Sequence, residues 1–204
     1  MVNKTLTVLA SLFLVLMFFT CGAKSFDSKE DLLIYLKDTE NGYRFQKSVN
    51  GIDYSLMYRP TDLLVIQSVD AEHREEEIFR LRKRYGNYLY FNLSMSANGK
   101  ELLDQRIGSR AESGAMVNQL SFGMSDKLNL IGEKRDTLPL MDFVYPRMYG
   151  MGESTDILLV YKSDAKVLEQ EYLLLTIKDL GFGTGEVTFK IEANKIKNQP
   201  KLNF

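Results

Sequence analysis

The chain has 204 residues, 45% hydrophobic and 26% charged, with 26 Lys and Arg against 27 Asp and Glu. That make-up suits one ordinary globular domain and excludes collagen-like, coiled-coil and disordered classes. The near-zero net charge offers no electrostatic footprint for nucleic acid. One Cys and one His cannot supply a zinc site, a disulfide framework or a Cys/His nucleophile pair.

Lys4 is the sole charge in the first twenty residues, and Leu6 to Phe19 form an uncharged, mostly apolar run. Fourteen helical residues rise roughly 21 Å, short of the roughly 30 Å hydrocarbon core, so an export signal fits better than a permanent span. The lone cysteine follows at once, in Phe18-Phe19-Thr20-Cys21-Gly22. This placement resembles a bacterial lipoprotein signal, which implies diacylglycerol on the Cys21 sulfur and cleavage before it. The alternative is a cut after Ala23 by ordinary signal peptidase, since Cys21 and Ala23 satisfy its small-x-small pattern. At about 0.8 kcal/mol per buried CH₂, two or three acyl chains hold a protein essentially permanently. Residues 1–20 thus read as signal, 21–27 as a short tether and 28–204 as a single domain. A tether this short keeps the body within about 25 Å of the headgroups.

Along the body, Ser28 with Asp31 three residues on reads as a helix N-cap, and Leu32, Leu33 and Leu36 form the helix's apolar stripe. Two alternating runs, 43–49 and 52–58, flank Asn50-Gly51, the dipeptide that both central positions of a tight hairpin turn favour. Pro60-Thr61-Asp62 is expected to stop the second strand and cap a short helix, Leu63 to Gln67. A further helix, about Ala71 to Tyr85, carries acids at its start and bases at its end, complementing the helix dipole, with a Glu76–Arg80 pair. Leu89, Phe91, Leu93 and Met95 share one face of a strand that breaks at Asn98-Gly99. A helical patch near 115–120 follows, then strands at 128–132, 157–161, 172–177 and 187–193. The expected fold class is α+β: an antiparallel sheet with a few short helices packed on it.

Candidate chemistry is sparse. His73, in Glu72-His73-Arg74-Glu75, reads as a solvated side chain on a charged helix face, which leaves serine and cysteine hydrolase mechanisms without their base. Gly181-Phe182-Gly183-Thr184-Gly185 superficially resembles a phosphate loop, but alternating residues follow it instead of a helix, so its glycines read as a turn with positive φ. No acidic run has calcium-ligand spacing. Asp136-Thr137-Leu138 resembles the O-glycosylation acceptor of Bacteroidetes periplasmic proteins. Asn92-Leu93-Ser94 matches an N-glycosylation acceptor but falls within a strand.

The most distinctive stretch is 139–152, rich in Met, Tyr and Pro with one Arg. That mixture is enriched at adaptable protein interfaces, which makes Tyr145, Arg147, Met148, Tyr149 and Met151 the candidate partner contact. The competing reading folds the segment over the sheet edge, with Phe143 and Tyr145 filling the core.

Together, the Cys21 signal, the run from Asn41-Gly42-Tyr43 through Asn50-Gly51 to Tyr58-Arg59-Pro60-Thr61-Asp62-Leu63-Leu64, and the ending Pro200-Lys201-Leu202-Asn203-Phe204 resemble uncharacterised lipoproteins of Bacteroidetes. The resemblance implies location: the outer membrane, facing the periplasm, with surface exposure as the variant. Gly22 in place of Asp and the lack of an acidic run after Cys21 point the same way by analogy. The expectation is a non-enzymatic binding or assembly protein with no cofactor beyond acyl chains on Cys21. Its partners would be the membrane and an envelope protein, and not nucleic acid. A periplasmic carbohydrate-active or other hydrolase, needing a cleft with facing carboxylates, and a lipid or small-ligand carrier, needing a deep apolar cavity, are the alternatives.

Overall fold

The computed structural model describes residues 23–69, 75–105, 110–148 and 150–204. Cys21, His73 and Tyr149 lie outside them. The structured chain begins earlier than expected, not at Ser28 but with β1 (Ser25–Phe26), which pairs in parallel with the last strand, β12 (Lys201–Leu202). Ser28 then caps α1 (Lys29–Lys37), its Oγ accepting from the Asp31 amide while donating to the Asp31 carboxylate.

β2 (Arg44–Val49) and β3 (Ile52–Arg59) form the expected hairpin, with Asn50 and Gly51 both at positive φ (51° and 75°), the conformation such a turn demands. After Pro60 come α2 (Thr61–Ser68) and α3 (Glu75–Tyr85). Two details differ from the sequence reading. Asp62 does not cap α2 but is buried against Arg82, and Arg80 pairs with Glu77 rather than Glu76, the i,i+3 neighbour lying closer than i,i+4 here. β4 (Tyr88–Ala97) follows, hairpinned through Asn98-Gly99 to β5 (Lys100–Glu101) and leading into α4 (Leu102–Gln105) and α5 (Arg110–Phe122). The helical patch expected near 115–120 is thus the middle of a longer helix.

The remaining elements are β6 (Leu128–Gly132), β7 (Thr137–Leu138), β8 (Leu140–Val144), β9 (Thr155–Lys162), α6 (Ala165–Leu168), β10 (Tyr172–Ile177), β11 (Val187–Glu192) and α7 (Ala193–Lys197). Ala193, expected to end a strand, opens α7 instead. The larger sheet has the order β2-β3-β4-β9-β8, with β5 added to β4; the smaller is β11-β10-β6-β7. Apart from the β1–β12 pair, every strand pairing among the described residues is antiparallel. The fold class is α+β, in a single compact domain.

Alternation along the strands decides where the core sits. Leu56, Phe91, Leu93 and Leu159 on the larger sheet, and Leu130, Leu175 and Phe189 on the smaller, belong to one cluster and are at most 1% exposed. At about 25 cal/mol per Å² of apolar surface, this shared interior dominates stability.

Register gives the body two ends. Arg59 of β3, Tyr88 of β4 and Lys162 of β9 lie at one; Ile52, Ala97 and Thr155 lie at the other. Ten residues of β4 at about 3.3 Å each separate them by about 30 Å. Leu32 and Leu36 of α1, Leu63 of α2 and Leu202 of β12 close the first end; Leu102, Met116, Leu120 and Met124 close the second. We call the end bearing β1 and β12 the entry end and the other the distal end.

Candidate functional site

Segment 139–152 is half strand and half loop. Leu140 to Val144 form β8, an edge strand on β9 with a bulge between Leu140 and Asp142. Because β8 runs toward the distal end, the loop that follows it, up to Ser154, lies there. Its side chains divide between packed and exposed. Phe143 and Tyr145 pack half-buried against the core, while Arg147 is exposed, Met148 is 43% exposed and Met151 is 79% exposed.

What holds the loop is a residue that sequence reasoning missed. Glu101, only 1% exposed, accepts hydrogen bonds from the backbone N–H groups of Gly150 (3.1 Å) and Gly152 (2.9 Å) on its Oε1. Such charge-assisted bonds are the strong kind. A Cβ at Gly152 would come within 3.0 Å of the same oxygen, so the glycine allows the close approach. Thr155, also buried, receives the Leu102 amide on its hydroxyl (2.9 Å) and ties the base of the loop to α4.

Glu101 Oε2 and the Tyr145 hydroxyl are buried without a hydrogen-bond partner among the described residues. Burial pushes the Tyr145 phenol pKa up, and the nearby Glu101 carboxylate pushes it further, with Arg147 acting the other way. Tyr145 is therefore a neutral inward support for the loop. The outward chemistry belongs to Arg147, Met148 and Met151. Periodicity could not have found Glu101. It pairs with Ser96, on the face of the sheet that is elsewhere partly open, and its burial comes from the loop that folds back over it.

The glycine-rich turn lies at the same end and is built around its own anion. Asp179 Oδ1 accepts from the amides of Gly181 (3.0 Å) and Phe182 (2.9 Å), and Oδ2 accepts from Gly183 (3.1 Å). Partial burial works to raise the Asp179 pKa, but the Phe182 and Gly181 amides and the Thr184 contacts outweigh it and hold the carboxyl below its usual range. Gly181, Gly183 and Gly185 all have positive φ, as the turn reading requires. The amides that a phosphate would need are thus already taken. Asn50 Nδ2 donates to the Phe182 carbonyl (2.7 Å), docking this turn on the β2–β3 hairpin.

A trough of about 560 Å³ crosses the open face of the larger sheet beside these loops, lined by Arg44, Asp53, Ser55, Ser94, Ser96 and Ser154 among others. Some of its polar groups are already engaged. Arg44 donates to Ser55 (3.1 Å), and Asp156 accepts from both Ser94 and Ser154. Among the described residues no group of three His, Cys, Asp or Glu is placed to hold a metal ion, and no helix is long and apolar enough to cross a membrane. Thr137 of the Asp136-Thr137-Leu138 tripeptide is exposed on β7, whereas Asn92 and Ser94 sit within β4.

No family model matches this chain, and no curated protein matches it. Among solved structures, a protein of unknown function from Burkholderia pseudomallei is similar over 81% of this chain and 83% of its own, at 10% identity and a TM-score of 0.38. A likeness at that level carries no argument about function.

Proposed function

We propose that this chain is a lipid-anchored cell-envelope protein that binds or organises a partner at the outer membrane without catalysing a reaction. In this reading acyl chains on Cys21 tie the entry end to the periplasmic face of the bilayer. The distal loop, with Arg147, Met148 and Met151 outermost, receives an envelope protein. One observation carries the proposal: the cysteine that follows the uncharged run stands four residues ahead of β1, while the Met-rich loop lies at the opposite end of the sheet. A tether at one pole and an adaptable Met/Arg surface at the other is the layout a protein needs to hold something off a membrane.

The test is affinity purification from detergent-solubilised envelopes, comparing the natural chain with an Arg147→Glu, Met148→Glu, Met151→Glu variant. The side chains are exposed, and a circular dichroism spectrum matching that of the natural chain checks that the variant keeps its fold. A co-purifying envelope protein should fall at least tenfold in yield; an unchanged yield refutes the distal contact. In parallel, Cys21→Ala should abolish incorporation of labelled fatty acid, and label retained in the mutant refutes the anchor.

A further inference from the structure

The face around the chain entry carries apolar side chains that stay partly exposed. α3 buries Ile78 and Leu81 against Val65 of α2, which accounts for one side of the helix. Phe79, on another side, is 71% exposed in an otherwise charged stretch. Phe204, 40% exposed, borders the same shallow depression, together with Ser25, Lys201 and Arg82; Glu75 is also on its rim. Single exposed apolar residues are ordinary. Two Phe side chains sharing one depression beside the entry strand are less easily set aside.

One cation, Arg82, stacks on Phe204, and a second, Lys24, stands over two other rings near the entry strand. The Arg82 guanidinium lies 5.0 Å from the Phe204 ring centroid, and Lys24 Nζ lies 4.2 Å from that of Tyr35 and 5.3 Å from that of Phe26. Lys201, exposed, is hydrogen-bonded through its amide to the Lys24 carbonyl (2.9 Å). Aromatic rings with long cationic stems suit the headgroup region of a bilayer, where rings enter and ammonium groups stay wet.

Geometry supplies the occupant. Four peptide units separate Cys21 from Ser25, so their Cα atoms are at most about 14 Å apart. Ser25 itself lines the depression. We infer that the Phe79–Phe204 face is a second, non-covalent membrane contact, which lays the entry end flat on the bilayer and points the distal loop away from it. This inference rests on the reading of Cys21 as the lipid attachment.

The chain has no Trp, so Phe79→Trp, Phe204→Trp and Phe122→Trp each introduce a single reporter. Phe122 is the control: it is 77% exposed and ends α5, the helix at the distal end. Each acylated variant is purified from membranes and reconstituted into phosphatidylethanolamine/phosphatidylglycerol vesicles with and without dibrominated acyl chains. Bromolipid should quench the reporters at positions 79 and 204 at least twofold and leave the one at 122 unchanged. Protein that floats with the vesicles but shows no quenching at 79 and 204 overturns the inference while leaving the anchor standing. A blue shift without bromolipid quenching also overturns it, giving the patch to a second copy of the chain. Equal quenching at all three positions refutes the orientation. Failure to float refutes the lipid reading itself.

Discussion

At the entry end the chain is held by side chains distant in sequence, whereas at the distal end it is held by backbone amides folded around single carboxylates. Asp62 grips Arg82 with two bonds of 2.7 Å and also accepts the Leu202 amide (2.8 Å), while Arg82 donates to the Leu202 carbonyl. A run of ring contacts, Phe26–Tyr35–Tyr43–Tyr58–Phe91–Tyr161, leads from the first strand into the core with centroid spacings of 5.0 to 6.4 Å. The distal loops instead close on Glu101 and Asp179. A bidentate ion pair with packed rings resists displacement. A loop wrapped on a carboxylate keeps its backbone shape while Met148 and Met151 stay exposed, which suits a contact surface.

The largest expected effect removes what both ends share. Phe91→Ala, in the central strand and fully buried, should cost about 3–5 kcal/mol in urea-denaturation stability and release both ends together. Separate unfolding transitions for the two ends would break the picture of one interior. Asp62→Ala leaves the Leu202 amide without its acceptor and Arg82 without its partner. It should lower the unfolding free energy by about 2–3 kcal/mol and speed hydrogen exchange at Leu202 and Asn203 before that at Gly150. A loss under about 0.5 kcal/mol, the range of ordinary surface changes, would show that the clamp is not what stiffens the entry end.

Glu101→Ala should act locally. A global cost of about 1–2 kcal/mol should come with protease cleavage within 145–154 at concentrations that spare the natural chain. An uncut loop would mean that Phe143 and Tyr145 suffice to hold it. The smallest effect is pH-dependent. Because the folded-state pKa of Asp179 is depressed, its contribution is present above the ordinary value of 3.8 and fades as pH falls through the folded pKa. The stability gap between the natural chain and Asp179→Asn should therefore be widest near neutrality and shrink below pH 3.8; a gap that stays constant with pH would remove the charge from the explanation.

Much of the strand pattern was legible in the residues. Alternation in β3, β4 and β11 marks their buried faces because one side of each sheet meets the other sheet, and Asn50-Gly51 forces a tight turn through its backbone alone. The short helices α4, α6 and α7 escaped notice, since four or five residues are too few for a helical period to show. The 139–152 segment was singled out by composition, but which of its side chains turn inward depends on β8 pairing with β9.

What the sequence determined alone is local: cap and turn chemistry, strand alternation, and the placement of a single cysteine after an uncharged run, each readable because its cause lies within a few neighbouring residues. Only the tertiary structure decided that Asp62 meets Arg82, that Glu101 lies beneath Gly150 and Gly152, and that Phe79 and Phe204 share one face beside Ser25. Those pairings join positions 20 to 179 residues apart, and they follow from the register of strands and the packing of the two sheets rather than from any pattern along the chain.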